Sequence, residues 1–198
     1  LAAAEKILAE IGIEFRDDPA TVELFRKAGG QVTQLTPESW NIKFEPGMIR
    51  DLCKTAPARF TQHARNPANT VEIGGTATVF APSYGSPFVM DLDKGRRYGT
   101  IEDFRNFIKL GQSSQWLHHS GGTICEPTDI PVNKRHLDML FAHMTLSDKP
   151  YMGSVTEPSR AQDSVDMSGI LFGKDFVQQN TVMTSLININ SPMTFDDT

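Results

Sequence analysis

Segment 116–126 contains the densest group of side chains capable of chemistry, since it includes His118, His119, Cys125 and Glu126. Histidine, cysteine and glutamate are common metal ligands. However, adjacent residues of a strand point to opposite faces, so only one of the two histidines can face a common site. The paired glycines at positions 121 and 122 favour close approach of the backbone to a ligand or a neighbour. The segment therefore predicts a buried histidine in preference to a metal centre.

A strand predicted over residues 181–189 carries polar groups towards one end. Alternation with a period of two leaves one face largely apolar and gives the other face Val182, Thr184, Leu186, Asn188 and Asn190. In a barrel, Asn188, Asn190 and the following Ser191 would lie at the carboxyl-terminal mouth, where active sites of that fold are found. Asparagines at strand ends also bond to their own loop. The periodicity favours neither interpretation over the other.

Two other predicted strand ends carry candidate polar groups. Ser154 and Thr156 share a face at the end of a strand predicted over 151–155, although such residues more often make local backbone bonds or helix caps. Glu126 and Asp129 follow the strand predicted over 116–124. These two carboxylates can either attract a cationic amine or cap the next helix.

Residues 1–99 are predicted to form a small mixed α+β region. The spacing of apolar residues indicates a first helix from Leu1 to a stop at Gly12. Asp18 followed by proline is typical of the start of a second helix, and a third is expected to begin at Pro46. Extended runs between turn residues then predict strands at 59–64, 70–73, 76–80 and 87–90.

Residues 100–198 show a different order of predicted elements, in which strands alternate with helices. Thr100 and Asp103 resemble a capping box that opens a helix. Helices are also predicted around 137–144 and 161–172, between strands at 116–124, 151–155 and 181–189. The alternation predicts parallel strands joined by right-handed crossovers. It fits a doubly wound sheet, although no glycine-rich phosphate loop follows a strand, or roughly three of the eight units of a (β/α)₈ barrel.

Composition narrows the class of protein. Charged residues make up 22% of the chain and the formal net charge is -5, without the basic stripe that nucleic acid or an anionic membrane attracts. We find no apolar run long enough to cross a bilayer and no signal peptide. Cys53 and Cys125 do not form a disulfide framework, so we expect a reducing cytoplasm. The helix already in progress at Leu1 and the unpunctuated last residues lead us to expect that both ends are cut.

Common catalytic and nucleotide-binding motifs are absent, but a collinear set of short stretches resembles the trimethylamine methyltransferase family. In the first half these are Gly12-Ile13-Glu14-Phe15, Ala28-Gly29-Gly30, Ala56-Pro57-Ala58-Arg59-Phe60, Tyr84-Gly85-Ser86-Pro87-Phe88-Val89-Met90-Asp91 and Gly95-Arg96-Arg97. In the second half they are Thr100-Ile101-Glu102-Asp103, Glu126-Pro127-Thr128-Asp129-Ile130-Pro131, Asp148-Lys149-Pro150 and Asn188-Ile189-Asn190-Ser191-Pro192. The resemblance covers nearly the whole chain.

The resemblance implies both a fold and an activity. The implied fold is a (β/α)₈ TIM barrel, of which residues 100–198 supply about the first three units behind the α+β region of residues 1–99. The barrel is thus incomplete in this fragment, which is expected to be inactive alone. The implied activity moves a methyl group from a methylated or quaternary amine, such as trimethylamine or glycine betaine, to the cobalt of a corrinoid. That corrinoid is carried by a cognate partner protein and is not bound by this chain directly.

The implied substrate also directs attention to particular side chains. Aromatic faces and carboxylates suit a cationic nitrogen, and strand-end polar groups can orient it. The residues expected to bind the amine are Tyr84, Phe88, Glu126, Thr156, Asn188, Asn190 and Ser191. The family's catalytic position, a pyrrolysine in some members, is expected beyond residue 198, so the particular amine stays open. No metal is expected to be bound by the chain itself.

Two other classes of protein remain alternatives. One is a different barrel enzyme of the hydrolase or aldolase type, which would have a narrow pocket with a perturbed carboxylate or lysine. The other is a non-catalytic barrel that binds a small cation or docks a partner. Methyl transfer to a corrinoid instead predicts a wide mouth near Asn188 and Asn190. The sequence does not decide whether the chain forms a homo-oligomer.

Overall fold

The structure, a computed structural model, describes residues 1–189 and 191–195. It combines helices with sheets, as predicted for the α/β class. The chain divides into two compact units, one of Arg59–Leu186 and one of Leu1–Ala58 with the described residues from Ile187 onwards. These units are defined by internal contacts, whereas the division expected between residues 99 and 100 follows a change in sequence pattern. That division stays a prediction.

The elements follow one another closely along the chain. The first 58 residues contain α1 (Ala2–Glu10), β1 (Ile13–Arg16), α2 (Pro19–Lys27), β2 (Gln31–Thr36), β3 (Ser39–Lys43) and α3 (Met48–Cys53). The larger unit contains β4 (Arg59–Gln62), a 3₁₀ turn (Pro67–Asn69), β5 (Val71–Gly74), β6 (Phe88–Asp91), β7 (Gly95–Tyr98), α4 (Ile101–Ser113), α5 (Val132–Leu146), β8 (Tyr151–Met152), α6 (Pro158–Phe172), α7 (Lys174–Gln179) and β9 (Met183–Thr184). A last strand, β10 (Thr194–Phe195), belongs to the smaller unit.

The smaller unit is built around a four-stranded sheet in the order β10-β1-β3-β2. Its core consists of side chains from β1, α2 and β3 with the residue after β3, namely Phe15, Val22, Ile42 and Phe44. The three predicted helices are confirmed, and the Asp18 side chain caps α2 by accepting a bond from the Thr21 amide at 2.9 Å. The strands β1, β2 and β3 were not predicted. Of these, β2 is largely exposed and shows no clear alternation of burial.

The first part of the larger unit contains two antiparallel pairs, β4 with β5 and β6 with β7. Three of the four strands predicted in this stretch are therefore confirmed. The strand predicted at 76–80 is wrong, since no strand is assigned there. The Phe80 carbonyl instead accepts bonds from the amides of His118 and His119 at 2.9 and 3.1 Å, which ties this run to a loop.

Helices α4 and α5 enclose the main core of the larger unit. The predicted capping box is present, because the Thr100 side chain accepts from the Asp103 amide and the Asp103 carboxylate accepts from the Thr100 amide. Phe104 and Ile108 of α4 are fully buried against Ala142 of α5. The burial of this apolar stripe fixes the helix pair on which the candidate site is built.

The second and third predicted strands pair in parallel, as expected, with Tyr151 opposite Met183. The strand predicted at 116–124 is wrong as a regular element, because Gly121 has φ +91° and interrupts the extended backbone. Its residues still bond to β8: the Ser120 amide donates to the Pro150 carbonyl at 2.8 Å, and the Met152 amide donates to the Gly121 carbonyl at 2.9 Å. Three successive extended segments thus lie side by side, without a closed barrel in the part of the chain that is described.

Helix α6 confirms the helix predicted around 161–172, and it ends at Gly173, whose φ is +92°. Helix α7 was not predicted. Among the described residues, none of the helices is both long and apolar enough to span a membrane.

Candidate functional site

A cavity of about 160 Å³ lies in the larger unit where β8 ends and α6 begins. Ligands of α/β proteins commonly bind beyond the carboxyl ends of parallel strands, so this cavity is the candidate site. Its lining comes mainly from segment 122–126, one face of α5 and the loop 152–156. The apolar and aromatic part of the lining is Tyr84, Val132, Met139, Leu140, Met152, Val155 and Leu186.

Tyr84 and Glu126 reach the cavity because their two loops pair with each other. The Gly85 amide donates to the Thr123 carbonyl at 2.7 Å, and the Glu126 amide donates to the Ser86 carbonyl at 2.9 Å. These bonds fix the loop that carries Tyr84 against the segment that carries Glu126.

Gly122 allows the walls of the cavity to close around it. A Cβ atom at Gly122 would lie 2.8 Å from Cε2 of Tyr84 and 3.0 Å from Cβ of Met152. The absence of a side chain therefore lets an aromatic ring and a thioether side chain approach the same backbone position.

Glu126 is the carboxylate of the cavity lining, and it forms an ion pair with Arg135. The Nε and Nη2 atoms of Arg135 also donate to the Ile130 carbonyl at 3.2 and 3.0 Å. The guanidinium is thus held on two sides, and its charge balances much of the carboxylate charge. A ligand in the cavity would therefore meet Glu126 as one member of an ion pair with Arg135.

Thr156 contacts a second guanidinium at the start of α6. The Nη1 atom of Arg160 donates to the Thr156 hydroxyl at 3.1 Å, and its Nη2 atom donates to a Glu157 carboxylate oxygen at 2.9 Å. Thr156 and Arg160 line the cavity, whereas Glu157 is not one of its lining residues. The side chain of Thr156 is therefore engaged in a local bond.

His143 is a fully buried histidine in the wall of the cavity. Its Nε2 atom donates to the Gly122 carbonyl at 2.9 Å, and its Nδ1 atom accepts from the Ser120 hydroxyl at 2.5 Å. This tautomer is assigned from the partners, because a carbonyl can only accept. Burial lowers the pKa of His143 to about 4, so the ring is neutral at pH 7 and both nitrogens are occupied.

His136 lies one turn nearer the start of α5 than Leu140 and also lines the cavity. Its Nε2 atom is 2.8 Å from a carboxylate oxygen of Asp163 on α6. The ring is 9% exposed, and its Nδ1 atom is buried without a hydrogen-bond partner among the described residues. A buried nitrogen of this kind is costly unless a ligand or water completes it.

The buried histidine predicted in segment 116–126 is His119, which is 2% exposed. Its Nδ1 atom accepts from the Gly121 amide at 2.8 Å, and burial, with a smaller effect of His143, lowers its pKa to about 4. His118 is exposed and accepts instead from the Phe80 amide at 3.0 Å. Within residues 1–189 and 191–195, no three potential ligands are grouped to hold a metal, and the expectation that the chain binds none stays a prediction.

The structure brings together three of the seven residues expected to bind the amine, namely Tyr84, Glu126 and Thr156. Phe88 lies on β6 outside this cavity lining, and the guanidinium carbon of Arg96 is 3.6 Å from its ring centroid. One face of the Phe88 ring therefore already has a cation. Whether any of these side chains binds an amine stays a prediction.

The other three residues expected to bind the amine are Asn188, Asn190 and Ser191, and none of them lines this cavity among the described residues. Asn188 and Ser191 are exposed in the smaller unit. Asn190 lies outside the described residues. The expectation of a wide mouth near Asn188 and Asn190 also stays a prediction.

Sequence reasoning missed the four polar residues that most define the cavity: Arg135, His136, His143 and Arg160. A usable signal was present in α5, because lining residues recur there at positions 132, 135, 136, 139, 140 and 143, which is one helical face. Polar residues within such an otherwise apolar face mark a wall that borders a ligand site as well as a core.

Comparison with known proteins shows the family of the chain. A profile of the family described as trimethylamine methyltransferase (MTTB) matches residues 2–198. The chain is also 47% identical over 193 residues to the glycine betaine methyltransferase of Desulfitobacterium hafniense (strain Y51), an alignment that covers 97% of this chain and 39% of that protein. The chain thus spans less than half the length of this curated relative.

The structure defines an α/β protein with a cavity of about 160 Å³ beyond the end of β8. The chain belongs to the trimethylamine methyltransferase family, as its motifs predicted.

Proposed function

We propose that the protein containing this chain transfers a methyl group from a methylated or quaternary amine, of the trimethylamine or glycine betaine type, to the cobalt of a partner corrinoid protein. The observation that carries the proposal is the 47% identity to a glycine betaine methyltransferase, within a family match over residues 2–198. Because that alignment covers 97% of the chain, it includes the elements that surround the cavity.

The size of the cavity supports a small substrate. A cavity of about 150 Å³ holds one benzene molecule, and the volume here is about 160 Å³. A small methylated amine fits such a space. A corrin macrocycle does not, which supports a corrinoid that is carried by a partner and approaches the cavity from outside.

The chemical character of the walls supports a cationic nitrogen. Tyr84 offers an aromatic ring, Glu126 a carboxylate, and Met139 and Met152 polarisable thioethers. The Arg135 guanidinium limits the excess negative charge at Glu126. Because Arg135 pairs with Glu126, these walls offer a methylated nitrogen an aromatic ring and thioethers rather than a free negative charge.

One histidine of the cavity wall, His143, is in a state that suits a quaternary amine as the methyl donor. When a quaternary nitrogen loses a methyl group, it keeps the electron pair of the broken N–C bond and leaves as a neutral tertiary amine. That departure requires no general acid. The neutral and fully engaged His143 suits such a reaction, because it cannot protonate a leaving group at pH 7.

In the proposed reaction the corrinoid supplies low-valent cobalt as the nucleophile that takes the methyl group. The residues of this chain would hold the amine, orient one methyl group outwards and exclude water from the cation. We further propose that the parallel segments around β8 and β9 are the first strands of a (β/α)₈ barrel in the whole protein. Their side-by-side order and parallel pairing support that fold.

The test uses the full-length protein with a reduced corrinoid protein and a panel containing trimethylamine, glycine betaine, choline and unmethylated glycine. Methyl transfer is followed through the cobalt absorbance. We expect methyl-cobalt formation with a quaternary amine and none with glycine. An absence of methyl transfer from every methylated amine, with a corrinoid protein known to be competent, would refute the proposal and favour a cation-binding barrel or another barrel enzyme.

A matched pair of variants connects the activity to this cavity. Tyr84→Leu removes the ring from the wall, and Tyr98→Leu removes an exposed ring that contacts Phe88 at 4.7 Å outside it. We expect Tyr84→Leu to raise the KM for the amine about tenfold, the loss of one cation–π contact, and Tyr98→Leu to leave KM unchanged. Equal KM values in both variants would move the amine site away from this cavity.

A further inference from the structure

The loop that follows β8 forms one continuous side of the cavity. All five residues from position 152 to position 156 line it. The loop begins as an extension of the parallel pair of strands, because the Gly153 amide donates to the Thr184 carbonyl at 2.9 Å. At Ser154 the amide bonds to a side chain instead of a strand. Since a backbone amide away from water needs a partner, that side chain decides where the rest of the loop lies.

The partner of the Ser154 amide is Ser164 on α6. The amide donates to Oγ of Ser164 at 3.0 Å, and this hydroxyl donates to the Arg160 carbonyl at 2.9 Å, with the Ser154 carbonyl a more distant acceptor at 3.3 Å. A serine hydroxyl has one hydrogen and two lone pairs, so it can donate and accept at once. The bond to Arg160 is common for a serine within a helix. The bond from Ser154 is different, because it joins α6 to the wall of the cavity.

Ser164 is also packed tightly against this wall. It is fully buried, and a Cβ atom at Gly153 would lie 3.1 Å from Cβ of Ser164 and 3.2 Å from its Oγ. The absence of a side chain at Gly153 therefore lets the backbone of the loop lie directly on the helix. Removing the Ser164 hydroxyl would leave the Ser154 amide without its partner, and the loop would lose the contact that holds it there.

Ser164 belongs to a stripe of three polar residues on one face of α6. Arg160, Ser164 and Ser168 are four residues apart, so they lie above one another on the helix. Arg160 donates to the Thr156 hydroxyl at 3.1 Å, and the Ser168 hydroxyl bonds to the Tyr151 hydroxyl at 2.9 Å. The stripe thus contacts β8 and the loop after it in reverse order, as a crossover helix that runs back along its strand must do.

We infer that Ser164 is a positioning residue for the amine site, because it holds the Ser154 amide and thereby fixes the loop 152–156 against which the amine packs. Ser164 does not line the cavity, so it acts through the backbone of the loop and not through contact with the ligand. The effect on amine binding rests on the proposed function, since it requires that the amine occupies this cavity. The anchoring of the loop does not depend on any ligand.

The first test needs neither a variant nor a ligand. Hydrogen exchange is measured for each amide of the full-length protein, and Ser154 is compared with Gly153. Both amides donate to fixed acceptors, so we expect their protection from exchange to agree within about tenfold. Exchange of the Ser154 amide at the intrinsic rate of an unprotected loop would overturn the inference.

The second test compares Ser164→Ala with the matched control Ser168→Ala. Both serines are fully buried on the same face of α6, but Ser168 and its partner Tyr151 lie outside the cavity lining. Ser164→Ala should speed exchange of the Ser154 amide about tenfold and weaken the binding of glycine betaine, titrated by calorimetry without a corrinoid protein, about tenfold. Ser168→Ala should change both quantities less than about twofold. Equal effects of the two variants, or an unchanged affinity in Ser164→Ala, would overturn the inference.

These outcomes are separable from those of the proposed function. If the wild type transfers methyl groups but the two variants bind glycine betaine equally well, the methyltransferase proposal stands and the role of Ser164 fails. If the affinity falls only in Ser164→Ala but the wild type forms no methyl-cobalt, the role of Ser164 stands and the methyltransferase proposal fails. If glycine betaine does not bind to the wild type at all, the role of Ser164 in amine binding fails. If Ser164→Ala does not fold, the exchange of the Ser154 amide in the wild type decides.

Discussion

Replacing His143 with glutamine removes a titratable group from the interior of the larger unit while keeping its hydrogen bonds. The Ser120 hydroxyl and the Gly122 carbonyl are the two partners of the ring. A glutamine amide has an oxygen that accepts and a nitrogen that donates, so His143→Gln can serve both partners. The variant therefore differs from the wild type mainly because glutamine, unlike histidine, does not take up a proton.

The expected effect follows from the pKa of the buried ring. Burial lowers the pKa of His143 from 6.5 to about 4, whereas the unfolded chain takes up its proton near the ordinary value. Between pH 6.5 and 4 the unfolded state therefore binds more protons, and the folded state loses stability as the pH falls. A pKa difference of that size corresponds to about 3 kcal/mol. His119, whose pKa is also lowered to about 4, acts in the same direction in both proteins.

Hydrogen exchange of the α5 amides measures this effect locally, in the full-length protein, after correction for the intrinsic exchange rate at each pH. Between pH 7 and pH 4 the free energy of opening should fall by about 3 kcal/mol less in His143→Gln than in the wild type. Comparing each protein with itself cancels any packing change caused by the substitution. The exposed His118→Gln variant should follow the wild type. An identical loss in wild type and His143→Gln would refute the account of the buried ring.

Two further substitutions test the cavity wall and the end of α4. Gly122→Ala should weaken amine binding about tenfold in calorimetry, because its Cβ would lie 2.8 Å from the Tyr84 ring. The control Gly111→Ala, whose Cβ would have its nearest neighbouring atom 3.8 Å away, should leave the affinity unchanged. Equal affinities of the two variants would contradict the role of the Gly122 contact. Lys149→Met should lower the free energy of unfolding in urea by about 1–3 kcal/mol, since Nζ donates to two carbonyls at the end of α4. An equal loss for the exposed Lys109→Met would contradict that role.

The sequence predicted those features that depend on residues close together in the chain. The cap of α2 by Asp18 and the capping box of Thr100 and Asp103 join residues three apart. The ends of α1 and α6 at Gly12 and Gly173 depend on the positive φ that glycine adopts readily. Such features are determined locally, so pattern and residue type are enough to find them.

Strands were predicted less well, above all where the partner lies far along the chain. Residues 76–80 have the apolar composition of a strand but bond to a loop near His118. The strands β8 and β9 are two residues long each and exist through their pairing with one another. Propensity alone cannot supply a partner, so it overestimated the length of both.

The sequence by itself determined the family, through collinear motifs, together with the presence of most helices and the parallel order of strands in the second half. Only the tertiary structure decided which side chains share the cavity. Gly122 leaves room for the Tyr84 ring, which comes from 38 residues earlier in the chain. His136 on α5 contacts Asp163 on α6. These contacts arise from the packing of apolar helix faces, which fixes positions of polar side chains that local pattern leaves free.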